Sequence, residues 1–173
     1  MGETICNPQG TLGILKVPGK SGVPHLRRLG VETAAAPFVA IAEDHCMFPE
    51  GWIRRLVEAI ERNGADVSGG PVINGRCSWV GWAQYFTRYG SFMPPVKEGW
   101  TRLLPGNSAC YRREVIVAHR RCLSDGFWEA EFNRELLRSG CRMWMSERVG
   151  VVQRQYRGIG EFVPLRFHHG RCY

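Results

Sequence analysis

Residues 37–46 read Pro-Phe-Val-Ala-Ile-Ala-Glu-Asp-His-Cys, and Pro49-Glu50-Gly51-Trp52 follow shortly after. The apolar half is short and continuous, with β-branched and aromatic members, which predicts a buried strand. Two carboxylates and a histidine (Glu43, Asp44, His45) stand where that strand runs out. In open α/β sheets, ligands lie just past the carboxyl ends of the strands. Acidic groups there suit a hard divalent cation, and the cation in turn suits phosphates. The block therefore points to an α/β fold and marks the place in it where a site belongs.

Periodicity around the block agrees. Thr11 to Val17 reads as a strand, and Val23 to Ala35 has helical spacing that Gly30 weakens. Pro49 to Asn63 is the clearest helix, with Trp52, Ile53, Leu56, Val57 and Ile60 in one apolar stripe and Asn63-Gly64 as its stop. Ala65 to Ile73 reads as a strand interrupted by Gly69-Gly70. Strand, helix, strand, helix, strand implies a mostly parallel sheet with right-handed crossovers, flanked by helices. Residues 75–100 are rich in aromatics and glycine and show no winning period, and Pro94-Pro95 breaks any helix there. Beyond them, Leu103 to Arg112 reads as a turn and a short strand, and Phe127 to Ser139 as a second good helix. Arg142–Met145 and Val149–Gln153 read as short strands, the mixed order of an α/β sheet with an antiparallel edge. A length of 173 residues suits one domain over 1–173, with 1–11 expected to be poorly ordered.

Charge is uneven. Residues 1–100 hold 10 Lys+Arg against 9 Asp+Glu, and residues 101–173 hold 13 against 7, a balance of +6. Only three of the 23 basic residues are lysine, and arginine suits bidentate contact with phosphate. A basic second half fits a phosphate-bearing ligand or an anionic membrane surface. The basic residues are interspersed with acids and carry no recognised nucleic-acid motif, so nucleic acid is not the expected partner. The seven cysteines are scattered without a C-x-x-C pair, which argues for a reducing, cytoplasmic setting and against a structural zinc module.

Four segments, in order, resemble the inverting nucleotide-sugar glycosyltransferases of family 2, which have the GT-A fold. Arg27-Arg28-Leu29-Gly30 with Ala34 is similar to the family's "Arg-Asn-x-Gly … Ala" helix. Val39 to Cys46 followed by Pro49-Glu50-Gly51-Trp52 resembles its metal-binding strand end. Leu104 to Glu114 is similar to its "Gly-Asn … Tyr-Arg-Arg" segment, and Gly126-Phe127-Trp128-Glu129 to the opening of the helix that carries its catalytic carboxylate. Two departures stand out. The family's opening strand–helix–strand unit, which holds the nucleotide base, has no counterpart here, so the chain reads as N-terminally truncated. His45 also occupies the position usually held by a metal-ligating aspartate.

The resemblance implies a sugar moved from a nucleotide-diphosphate donor to an acceptor hydroxyl with inversion, the acceptor being a saccharide or lipid-linked. Asp44 and His45 would ligate a divalent metal, manganese or magnesium with manganese favoured by the imidazole, and His168 would be a further ligand or contact the diphosphate. Glu43 would position ribose or the metal's water. Gly106 and Asn107 would bring backbone close to the donor, and Arg112 and Arg113 would reach its phosphates. Glu129 is the candidate general base at a helix start, with Glu131 as its rival. Trp79, Trp82 and Tyr85 fit either a core helix face or an acceptor groove, the core slightly favoured. Peripheral contact with a membrane is a further expectation. The competing reading is a catalytically inactive, truncated accessory or binding module.

Overall fold

In the computed structural model, residues 3–7, 10–17, 19–154 and 158–170 are described. Strands β1 (Glu3–Asn7) and β2 (Gly10–Ile14) pair as an antiparallel hairpin. In that hairpin Glu3 stands opposite Ile14 and Asn7 opposite Gly10. Helix α1 (Val23–Thr33) has Pro24 in its first turn, where a missing N–H leaves nothing unpaired. Strands β3 (Phe38–Ile41) and β4 (Cys46–Met47) bracket the acidic block. Helix α2 (Trp52–Asn63) begins three residues later than Pro49 and ends on Gly64. Its buried stripe is Trp52, Leu56, Ala59 and Ile60, while Ile53 faces solvent.

The strand expected over residues 65–73 is divided into β5 (Val67–Gly69) and β6 (Val72–Asn74), which join different sheets. A Cβ on Gly70 would lie 2.7 Å from the carbonyl carbon of Val149, so only glycine passes there. Helix α3 (Trp79–Tyr89) follows, capped by Ser78, whose Oγ accepts from the Gly81 N–H at 3.1 Å. Its period is illegible in sequence because aromatics line two faces. Tyr85 is buried and donates to the Val72 carbonyl, whereas Trp79, Trp82 and Phe86 are exposed. The core reading therefore holds for Tyr85 and not for Trp79 or Trp82.

The remaining elements are β7 (Gly99–Thr101), β8 (Ala109–Arg112), α4 (Arg113–Ala118), α5 (Glu129–Arg138), β9 (Met143–Met145), β10 (Val151–Gln153) and α6 (Ile159–Gly170). The larger sheet has the order β3-β8-β5-β9-β7, and β4-β10-β6 form a smaller one. β3, β5 and β9 run one way, as expected for a wound α/β sheet; β8 and β7 run the other way. The sheet is thus mixed rather than mostly parallel. After β6 the chain makes a long excursion and returns at the carboxyl end of β5, where Gly70 N–H donates to Ser108 O. From there β8 can enter only antiparallel, with Ala109 opposite Gly69 and Ile41. The same return sets residues 105–108 against the acidic block.

Beneath the sheet the core centres on Tyr111, Phe127 and Phe132, all essentially buried, with ring centroids 5.0–5.9 Å apart. Tyr111 OH donates to Asn133 Oδ1 at 3.0 Å, so its hydroxyl is satisfied inside the core. This packing fixes α5 against β8, and with it the position of Glu129 at the start of α5.

Candidate active site

Three elements converge past the carboxyl end of β3. Glu43 lies in the turn between β3 and β4, which closes with Cys46 N–H donating to Glu43 O at 3.0 Å. From α1, Arg27 reaches over that turn: one guanidinium nitrogen meets Glu43 Oε1 at 2.5 Å, and the other pairs with Glu129 Oε1. All three side chains are largely shielded, 15–22% exposed. The single arginine thus locks the strand-end carboxylate and the helix-start carboxylate into one constellation. Gly106 completes it from the other side, because a Cβ there would lie 2.6 Å from the Glu129 carboxyl carbon. Only glycine allows the turn before β8 to approach that carboxylate so closely.

His45 faces inward and Asp44 faces out. Asp44 is 99% exposed, and its Oδ1 lies 2.9 Å from His45 Nδ1. With Nδ1–H donating to Asp44, the lone pair of the ring sits on Nε2. That nitrogen lies 2.8 Å from Glu43 Oε2, yet neither buried atom meets a hydrogen-bond geometry with any partner. A ring nitrogen of His45, a carboxylate oxygen of Glu43 and Cys46 Sγ all lie within 4.8 Å of one another, close enough to hold a metal ion. A nitrogen and an oxygen this close, neither in a hydrogen bond, form a donor pair that suits a divalent cation. Asp44, expected to ligate together with His45, is not one of these three residues.

Cys46 is buried, donates to Gln153 Oε1 at 3.1 Å and accepts from Asn107 Nδ2 at 3.4 Å. Burial, and secondarily the charge of Glu43, push its thiol up to about 11, while burial alone pushes the Cys110 thiol up to about 12. Both groups ionise in the unfolded chain near 9.0 but stay protonated in the fold above that pH. The unfolded state then binds fewer protons, so stability is full below pH 9.0 and falls as pH rises toward 11 and 12. Urea unfolding at pH 8 and pH 10.5 should show the midpoint dropping at the higher pH, and less so in a Cys110→Ala chain.

The model of glycosyl transferase family 2 matches residues 11–119, well over half of the chain. The chain belongs to that family. No curated protein matches it. The matched stretch contains Arg27, Glu43 to Cys46, Gly106 and Asn107, and the α/β fold with helices on its sheet is GT-A-like. Glu129 lies beyond it and is joined to the family's strand-end block by Arg27.

Other expected residues of this family 2 domain fall elsewhere. Arg112 and Arg113 sit at the far end of β8, level with Phe38 at the start of β3, about 10 Å of strand away from the block. Arg112 Nε donates to Ala65 O at 3.0 Å and Arg113 Nε to Ala34 O at 2.7 Å. Both close the ends of neighbouring elements and are not brought beside the Glu43–His45 group. His168 falls within α6, but its side chain lies outside the described residues. Asn107 is 2% exposed and does join the constellation. A cavity of about 620 Å³ lies along β7 and the end of β9, lined in part by Met93, Val96, Trp100 and Met145 and not by Trp79 or Trp82. Met145 pairs with Gly69, so this cavity opens at the same carboxyl edge of the sheet. Arg27 was legible only as part of the family-like helix; nothing in its spacing marked it as the bridge.

Proposed function

We propose that this chain transfers a sugar from a nucleotide-diphosphate donor to an acceptor hydroxyl, with inversion and with the help of a divalent cation. The observation that carries this reading is the Arg27 bridge, which holds a strand-end carboxylate and a helix-start carboxylate together at the carboxyl edge of an α/β sheet. Glu129 is the general base: it takes the proton of the acceptor hydroxyl as that oxygen attacks the anomeric carbon. A well-placed base supplies about 10²–10⁴-fold. Arg27 and the first turn of α5 fix its orientation.

Glu43 and His45 hold the cation, which when bound stabilises the charge developing on the leaving diphosphate. Manganese suits this pair better than magnesium, because imidazole is a poor magnesium ligand. Asp44 acts through His45: its contact with Nδ1 keeps Nε2 aimed at Glu43. Asp44→Asn should therefore weaken metal-dependent nucleotide binding by roughly 10–100-fold, and His45→Ala by more, as read by calorimetry. The turn at Gly106-Asn107 lies beside both carboxylates, where backbone can approach the donor. The cavity beside Trp100 is the place for a saccharide or lipid-linked acceptor.

No described helix is long and apolar enough to cross a membrane. A cytoplasmic setting is supported by the scattered cysteines, five of which are free thiols among the described residues. Peripheral contact with an anionic membrane is compatible with the basic second half. A panel of UDP- and GDP-sugars, assayed for nucleotide release and for the anomeric configuration of the product, tests the reading. Product of inverted configuration, lost in Glu129→Gln, is expected. Turnover with retained configuration would overturn the mechanism.

A further inference from the structure

We propose that Cys46 is a third ligand of the Glu43–His45 cation site, and that the site consequently binds zinc-class cations more tightly than manganese or magnesium. The inference rests on the reading of that group as a cation site and adds the chemistry of the ion. The sulfur, a Glu43 oxygen and a His45 ring nitrogen already lie within 4.8 Å of one another. Tetrahedral zinc, with bonds of roughly 2.0–2.3 Å, places such atoms about 3–4 Å apart, so modest side-chain adjustments suffice.

A second observation points into the same place. Asn107, 2% exposed, donates Nδ2 to Cys46 Sγ at 3.4 Å, yet its Oδ1 is buried without a partner. Together with Glu43 Oε2 and His45 Nε2, it makes three unsatisfied polar atoms on residues at this site. A cation held there, with the water it carries, would give these atoms partners. Asn107 is also a donor to the sulfur, the hydrogen bond that a coordinated thiolate needs from its surroundings.

The donor chemistry decides the ion. Magnesium demands oxygen ligands and gains nothing from sulfur. Imidazole and thiolate suit zinc and cobalt, and affinity at such sites rises from manganese through cobalt to zinc. Three protein ligands leave a fourth position open, the arrangement of sites that engage a substrate. On binding, the Cys46 S–H bond breaks, a sulfur–metal bond forms, and the proton passes to solvent. The hydrogen bond from the thiol to Gln153 Oε1 is given up in the exchange.

Titration of the whole chain with cobalt(II), followed by absorption, tests the proposal without any turnover. A sulfur-to-cobalt charge-transfer band should grow to one equivalent, vanish in Cys46→Ser and weaken in His45→Ala. Zinc should displace the cobalt at stoichiometric amounts, and manganese should fail to do so at large excess. Cys46→Ser should cost more than the roughly 10–100-fold in zinc affinity that losing an outer partner costs. A Cys77→Ser, Cys122→Ser chain, lacking the two thiols that are exposed among the described residues, should keep the band. Absence of the band in the folded chain, or its survival in Cys46→Ser, would overturn the assignment. Should Cys46→Ser fail to fold, His45→Ala carries the test: an undiminished band there places the cobalt elsewhere. Binding of nucleotide is measured separately, so sugar transfer with manganese but no band sinks only this proposal, and a band without sugar transfer sinks only the proposed function.

Discussion

Glu129→Gln is expected to lower sugar transfer by about 10²–10⁴-fold while leaving donor affinity close to that of the parent chain. Glutamine keeps the length and shape of the side chain and can still accept from Arg27, so the start of α5 stays in place. What it cannot do is take a proton. The loss should therefore appear in kcat rather than in KM, the signature of an interaction that matters in the transition state. Glu131→Gln is the matched control. That residue shares the first turn of α5 but is exposed and does not enter the constellation. Single-turnover rates with saturating donor distinguish the two. An equal loss in both variants, or none in Glu129→Gln, would remove Glu129 from the reaction.

Arg27→Ala should be the most damaging change to both stability and activity. Its guanidinium serves Glu43 and Glu129 at once, and both carboxylates are largely shielded. Removing it leaves two like charges facing each other with little solvent to screen them. Breaking a buried pair in this way typically costs about 3–5 kcal/mol. Urea unfolding should show a loss of that order, and the double change with Glu129→Gln should cost less than the sum, because the second substitution relieves the repulsion left by the first. Arg27→Lys should recover only part of the loss, since an ammonium cannot fork between two carboxylates as a planar guanidinium does. Additive effects in the cycle would mean that the bridge carries no energy of its own.

Much of this architecture could be read before any coordinates. The apolar run of β3, the stripe of α2 and the glycine break between β5 and β6 each announce themselves by period or punctuation, and each is found in place. α3 does not, because a helix with aromatics on both its buried and its exposed faces has no amphipathic signature. The direction of β8 is illegible too: it follows from where residues 75–108 deliver the chain to the middle of the sheet, which no local pattern records. At the site, Glu43 and His45 stand out as a strand-end cluster, but no spacing records which side chains of the block face inward. Asp44 turns to solvent because the turn closing on Glu43 O presents alternate side chains inward. Arg112 and Arg113 look like phosphate ligands by type, yet the length of β8 carries them to its other end. Arg27 and Cys46 gain their importance only through contacts with residues distant in sequence, Glu129 and Gln153.

The central claim is that the Glu43–His45 group engages a nucleotide diphosphate through a divalent cation. Its most direct test is calorimetric titration of the whole chain with UDP and with GDP, each with and without manganese, repeated on His45→Ala. Binding that requires the metal, and that His45→Ala loses while remaining folded, is the predicted result. A folded chain that binds neither nucleotide with any divalent cation, or binds one equally well without it, would contradict the account.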